Sequence, residues 1–149
     1  MKVLVVAAHP DDEALGCGGT IARHAAAGDE VGILHLTDGV SARQVSNPGE
    51  ATAQIAQRDR REKAADTIAK TWRAWRCQHF LPDNRLDSVA LLEVVQVVES
   101  ALQTLSPDII YTHHGGDLNI DHRITHQAVM TACRPLPGSS VKAIYAFEV

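Results

Sequence analysis

The sequence is poor in aromatic side chains, with two Trp, two Tyr and two Phe in 149 residues. No stacking platform for sugars or bases is evident in so small a set. Basic runs are missing and the net charge is −4, so nucleic acid is not expected as a partner. The apolar segments are all short, which excludes a membrane-spanning helix. Cysteines are few and scattered: Cys17, Cys77 and Cys133 form no Cys-x-x-Cys pair. Such usage fits a reducing compartment with buried or idle thiols. Met1-Lys2-Val3 runs directly into an apolar stretch with no small-residue cleavage site behind it. A cytoplasmic protein without a signal peptide is therefore expected. Neither repeats nor low-complexity tracts occur, and the length suits a single domain, 1–149, that buries a real core.

What the chain does have is a dense group of charges behind a core strand. The run Val3-Leu4-Val5-Val6-Ala7-Ala8 reads as a buried strand and leads into His9-Pro10-Asp11-Asp12-Glu13. One imidazole and three carboxylates at the mouth of such a strand are costly unless a cation or substrate balances them. Pro10 stiffens the backbone between His9 and Asp11, so the side chains leave in set directions.

Further along, 20–27 reads as a helix stopped by Gly28, and Glu30 to Leu36 as a second strand. Residues 37–50 have no period and read as a long loop, followed by a helix over 51–70. A third strand is expected over 76–81, ended by Pro82-Asp83-Asn84, and Asp87 is expected to cap the next helix. That helix carries Leu91, Leu92, Val95, Val98 and Leu102 at helical spacing. Residues 108–112 form a fourth strand, 113–121 a polar loop, 122–133 a helix and 141–149 a last strand.

Strands alternating with helices predict an α/β fold, a mainly parallel sheet with helices on both faces. In the common doubly wound order the first and fourth strands are neighbours, and ligands bind at their carboxyl ends. The two loops leaving those ends are the ones richest in His and Asp. Hydrolytic zinc is commonly held by two His and a carboxylate with water in the open position. His9 and one Asp come from the first loop. The second His is to be drawn from His113, His114, His122 or His126. His122 stands at a helix start behind Asp121, a rigid mount beside a carboxylate that can support a ligand from behind. His113 and His114 could contact substrate or be solvated. His126 more readily takes a structural role, as do His24, His35 and His79. Gly16-Cys17-Gly18-Gly19 lacks the spacing of a dinucleotide fingerprint and is expected to allow tight packing at a helix start.

At these residues the chain resembles the PIG-L/LmbE-type N-acetyl-sugar deacetylases. The resemblance rests on Ala8-His9-Pro10-Asp11-Asp12-Glu13, Gly16-x-Gly18-Gly19, Pro82-Asp83 and Asp121-His122-Arg123. It implies a Rossmann-like fold and a zinc-dependent hydrolase that removes the N-acetyl group of a GlcNAc-type sugar or glycoconjugate. Carried over, His9, Asp12 and His122 are zinc ligands and Asp11 is the base. Asp83 and Arg58 match positions that hold the sugar.

Two departures stand out. A histidine common three residues before the last ligand is Asn119 here, which can donate a hydrogen bond to an oxyanion but cannot act as an acid. Proton transfer to the leaving amine then falls to Asp11 or another His. Family members also continue beyond the position of Val149, so the C-terminal part of the family fold is expected to be missing. A last strand at a sheet edge, and a homo-oligomer, follow from that expectation. The alternatives are a zinc amidase acting on a thiol conjugate or an antibiotic glycoside, or a truncated, non-catalytic sugar-binding module.

Overall fold

The computed structural model describes residues 1–42 and 45–149. Five parallel strands form one sheet: β1 (Lys2–Ala7), β2 (Glu30–Thr37), β3 (Trp75–Leu81), β4 (Ile109–His113) and β5 (Ala143–Phe147), in the order β3-β2-β1-β4-β5. Among the described residues the α-helices are α1 (Asp12–Ala26), α2 (Pro48–Thr71), α3 (Leu91–Leu105) and α4 (Ile120–Ala132). β1 is central, pairing with β2 on one side and β4 on the other, so the expected switch point exists.

Alternation along the central strands divides the core. Leu4, Val6, Leu34 and Ile110 meet Val94, Val95 and Val98 of α3 and Ala128 and Val129 of α4. Val3, Val5, Val31 and Ile33 meet Ile21 of α1 and Ala69 of α2 on the opposite face. With helices on both sides, every side chain from Val3 to Ala8 is fully buried. β5 forms the sheet edge expected for the last strand, with Tyr145 half exposed.

Several boundaries differ from those read in the sequence. α1 begins at Asp12, not Thr20, and bends at Cys17, where φ is −144°. Pro10 followed by Asp12 and Glu13 is a helix start: acids in the first turn suit its unsatisfied N–H groups. α2 starts three residues early, at Pro48. Asn47 accepts the Glu50 N–H, Pro48 sits at the first helical position, and Glu50 accepts the Ser46 N–H. Asp87 does not cap α3; it lies in a 3-10 turn, Leu86–Ser88, and Ala90 precedes the helix. Leu92 lies on the exposed face of α3, whereas Val94, Val95, Val98, Ala101 and Leu105 are buried.

Gly16 fulfils the packing role expected of the glycine cluster. A Cβ there would lie 2.2 Å from the Phe147 ring of β5, so only glycine lets the edge strand seat against α1. Gly16→Ala should therefore destabilise the domain by about 1–3 kcal/mol, outweighing the ~1 kcal/mol helix-propensity gain. Urea unfolding should also show that Phe147→Leu in the same chain removes most of that loss. A more stable Gly16→Ala variant would contradict this packing.

Candidate metal centre

The loops leaving the carboxyl ends of the first four strands meet at one edge of the sheet. His9 follows β1, and Asp12 stands in the first turn of α1. His122 is mounted in the first turn of α4, beyond β4. All three side chains are buried. His9 Nδ1 lies 3.1 Å from Asp12 Oδ2. His122 Nε2 lies 3.4 Å from both of those atoms. One ligand atom from each residue thus falls within 4.8 Å of the others, a spacing that can hold a metal ion.

The remaining ring nitrogens are tied from behind. His9 Nε2 faces Asp121 Oδ2 and Asp83 Oδ1, each at 3.2 Å. His122 Nδ1 pairs with Asp117 Oδ2 at 2.9 Å. Carboxylates on the far nitrogens fix the tautomers and leave His9 Nδ1 and His122 Nε2 for a cation. Asp121 is itself fully buried and accepts the N–H groups of Asn84 (2.7 Å) and Leu86 (3.0 Å).

The electrostatics call for positive charge. Burial works to lower the pKa of His9, yet hydrogen bonds to Asp12, Asp121 and Asp83 push it up to about 11. Burial likewise works to raise Asp12, but His113, His122 and His9 together hold it far below the usual carboxylate range. For His122, burial lowers the pKa and Asp12 and Asp117 more than offset it. A proton retained that firmly is the charge a divalent cation would replace. The donor set of two imidazoles and a carboxylate, each with an outer partner, fits zinc.

His113 is neither solvated nor open to a substrate. It is fully buried and stacks on His122 with centroids 3.8 Å apart, and its Nε2 lies 3.0 Å from the Ala8 nitrogen and 3.2 Å from Asp12 Oδ2. Burial lowers its pKa, and its Nδ1 has no hydrogen-bond partner among the described residues. His114 is exposed. His126 Nδ1 donates to the His113 carbonyl at 2.8 Å, a structural tie. His24, bonded to Asp29 and Tyr111, and His35, bonded to Glu13, are likewise built into the scaffold. His79 is a part-buried residue of β3.

Next to the candidate ligands, with Asp83 shared between its wall and His9, lies a cleft of about 210 Å³ walled by Gly39, Val40, Ala42, Gln57, Arg61, Asp83 and Asn84. Gly39, at φ +66°, brings backbone where a Cβ would meet Arg61 Nη1 at 2.9 Å and the His9 Cβ at 3.3 Å. Asp11 stands at the helix start with a half-exposed side chain, its Oδ2 3.2 Å from Arg61 Nη1. Burial raises its pKa, and Arg61 opposes that rise. Asp83 is buried; burial favours its neutral form, but His9 and the Ala42 N–H hold its pKa low. Arg58 is part-buried on α2 and is not part of the cleft wall. Asn119 caps α4: its Oδ1 accepts the Asp121 N–H at 2.8 Å, and its Nδ2 reaches Asn84 Oδ1 at 3.4 Å.

Asp117, Arg61 and Asn84 are site residues that the sequence does not single out. Asp117 carries a signal, lying five residues before a candidate ligand in a loop already marked. Arg61 carries none, since nothing in the charge run of α2 tells which arginine faces the strand ends.

Similarity to known proteins extends over most of the chain. The family described as PIG-L, GlcNAc-PI de-N-acetylase, matches residues 4–133. The "uncharacterized deacetylase YaiS" of Escherichia coli (strain K12) is 30% identical over 143 residues, covering 91% of this chain and 69% of that protein. A "probable N-acetyl-alpha-D-glucosaminyl L-malate deacetylase 2" of Bacillus anthracis is 28% identical, covering 97% of this chain and 64% of the relative. Among solved structures, the conserved protein TT1542 from Thermus thermophilus superposes with a TM-score of 0.76. It is 27% identical, with 99% of this chain and 66% of that one covered. The chain therefore spans about two thirds of the length of these proteins. From the matched span and the shared fold, this chain belongs to the PIG-L (GlcNAc-PI de-N-acetylase) family.

Proposed function

We propose that this chain is a zinc-dependent hydrolase that removes the N-acetyl group from a GlcNAc-type sugar or glycoconjugate. The observation that carries the reading is the buried His9/Asp12/His122 set beside a polar cleft, with the Asp11 carboxylate paired to Arg61 of the cleft wall. Its family membership, and the substrate named for the Bacillus anthracis relative, support the sugar. When bound, zinc would lower the pKa of water and polarise the acetyl carbonyl.

The protein's own residues supply the rest. Asp11 takes the proton of the attacking water and returns it to the departing amine. Arg61 holds that carboxylate toward the cleft. Asn119 offers an N–H to the oxyanion, its carboxamide oriented by capping α4. Asp83, Gln57 and Arg61 are assigned the sugar contacts, in place of the Arg58 expected from the sequence. The cleft's volume and hydrogen-bonding walls suit one amino-sugar ring.

Three measurements test the reading. His122→Ala should lose tight zinc binding, because two protein ligands seldom suffice, and Asp121→Asn or Asp117→Asn should weaken it by about 10- to 100-fold. Metal analysis after dialysis reads this directly; retained zinc in His122→Ala would place the ion elsewhere. Metal uptake must also displace the His9 proton, which, despite burial, Asp12, Asp121 and Asp83 hold well above the usual imidazole range. Zinc affinity should thus rise with pH, on the order of tenfold per unit for each proton displaced. A flat affinity across neutral pH would contradict the assignment.

Asp11→Asn should keep its zinc and lose roughly 10²- to 10⁴-fold in amine release from N-acetylated sugars. Asn119→Asp keeps an oxygen to cap the helix but lacks the donor, and should lose about 10- to 1000-fold. If Asp11→Asn retains full activity, the base is another group.

A further inference from the structure

We propose that Asn84 is a positioning residue, the hydrogen-bond donor that lets Asp83 and Asp121 converge on the single N–H of His9. The inference deepens the deacetylase reading and rests on it for its kinetic consequence alone. His9 Nε2 carries at most one hydrogen, yet two carboxylate oxygens face it at 3.2 Å. One N–H shared between two acceptors satisfies neither well, and carboxylates brought together in a buried site repel each other. Asn84 relieves both oxygens. Its backbone N–H donates to Asp121 Oδ2 at 2.7 Å, and its Nδ2 donates to Asp83 Oδ1 at 3.2 Å. These are the two oxygens that face His9.

The backbone conformation agrees with such a role. Asn84 has φ +51°, in the left-handed region that a side chain enters at a cost and that Asn tolerates better than most. Its Oδ1 is used too, accepting from Asn119 Nδ2 at 3.4 Å. One residue therefore joins the carboxylate that aims His9, the carboxylate on the cleft wall, and the cap of α4.

The effect of the Asn84 side chain reaches the cleft through Asp83. With Oδ1 served by Asn84, Asp83 keeps its place in the cleft wall and its Oδ2 accepts the Ala42 N–H at 3.0 Å. That bond ties down the wall that includes Gly39 and Val40. Asp121 depends less on the side chain, because Leu86 N–H and the Asn84 backbone N–H both serve it. Loss of the Asn84 carboxamide should thus loosen the wall and weaken substrate binding while leaving zinc in place.

Two variants test this. Asn84→Gly accepts the left-handed backbone and keeps its N–H but lacks the carboxamide. Asn84→Asp keeps the side-chain shape but replaces the donor with a third carboxylate. In both, exchange of the Ala42 amide hydrogen, followed by NMR on the metal-free chain, should accelerate about tenfold, as for one lost hydrogen bond. Amides of β1 should be unaffected, and the Gly variant should bind zinc as wild type does. With an N-acetylated sugar as substrate, KM of the Gly variant should rise about five- to tenfold, and kcat should change less than about twofold, as expected when binding of the ground state and the transition state is weakened equally. Unchanged Ala42 exchange in both variants would overturn the proposal, as would zinc loss in Asn84→Gly with Ala42 still protected. Failure of the deacetylase reading has a different signature: wild-type protein that releases no amine from any N-acetylated sugar, with the exchange result intact.

Discussion

His9 is buried among three carboxylates, and the rest of the site is arranged around that fact. Asp12 faces its Nδ1, while Asp83 and Asp121 face its Nε2. So many acids around one imidazole demand positive charge at the centre, a proton or a cation. The scaffold meets the demand geometrically. Parallel strands β1 and β4 put His9 and the approach to α4 side by side, and the first turns of α1 and α4 present Asp12 and His122 toward the same point. Helix starts suit this purpose because their free N–H groups favour the acids clustered there.

An outer ring of carboxylates converts that cluster into a directed site. Asp121 and Asp117 each take the far nitrogen of a candidate ligand, His9 and His122 respectively. Asp121 in turn is gripped by backbone N–H groups of the loop after β3, and Asp83 of the same loop reaches the loop after β2. Four strand ends are cross-linked in this way through side chains rather than through the sheet. The cleft is the gap left between those links, and its polar walls follow from the residues that make them.

The centre of this arrangement is legible in the sequence because it lies in two short runs that directly follow core strands. An apolar run into His9 through Glu13, and a polar loop into Asp121-His122, name the strands, the switch point and the three residues that the fold brings together as candidate ligands. The start of α1 is harder to see. The pair Asp12-Glu13 fits a solvated turn and a helix first turn equally well until Pro10 is counted as part of the start signal. Arg61 and Asn84 cannot be read, because their roles depend on crossovers that bring α2 and the loop after β3 to His9. A left-handed Asn84 beside Asp83 looks in one dimension like any Pro-Asp-Asn turn. His113 misleads for a related reason: it ends a strand, and only packing against His122 and Phe147 shows it buried.

The most direct test of the account concerns the two nitrogens of His9. Nitrogen-15 NMR of the imidazoles, recorded on metal-free and zinc-loaded protein, distinguishes a protonated nitrogen from one bound to metal. With zinc present, His9 should keep its hydrogen on Nε2, toward Asp83 and Asp121, and give up the one on Nδ1 to the metal. A zinc-loaded protein in which His9 Nδ1 still carries hydrogen, or in which both His9 nitrogens ignore the metal, would contradict it.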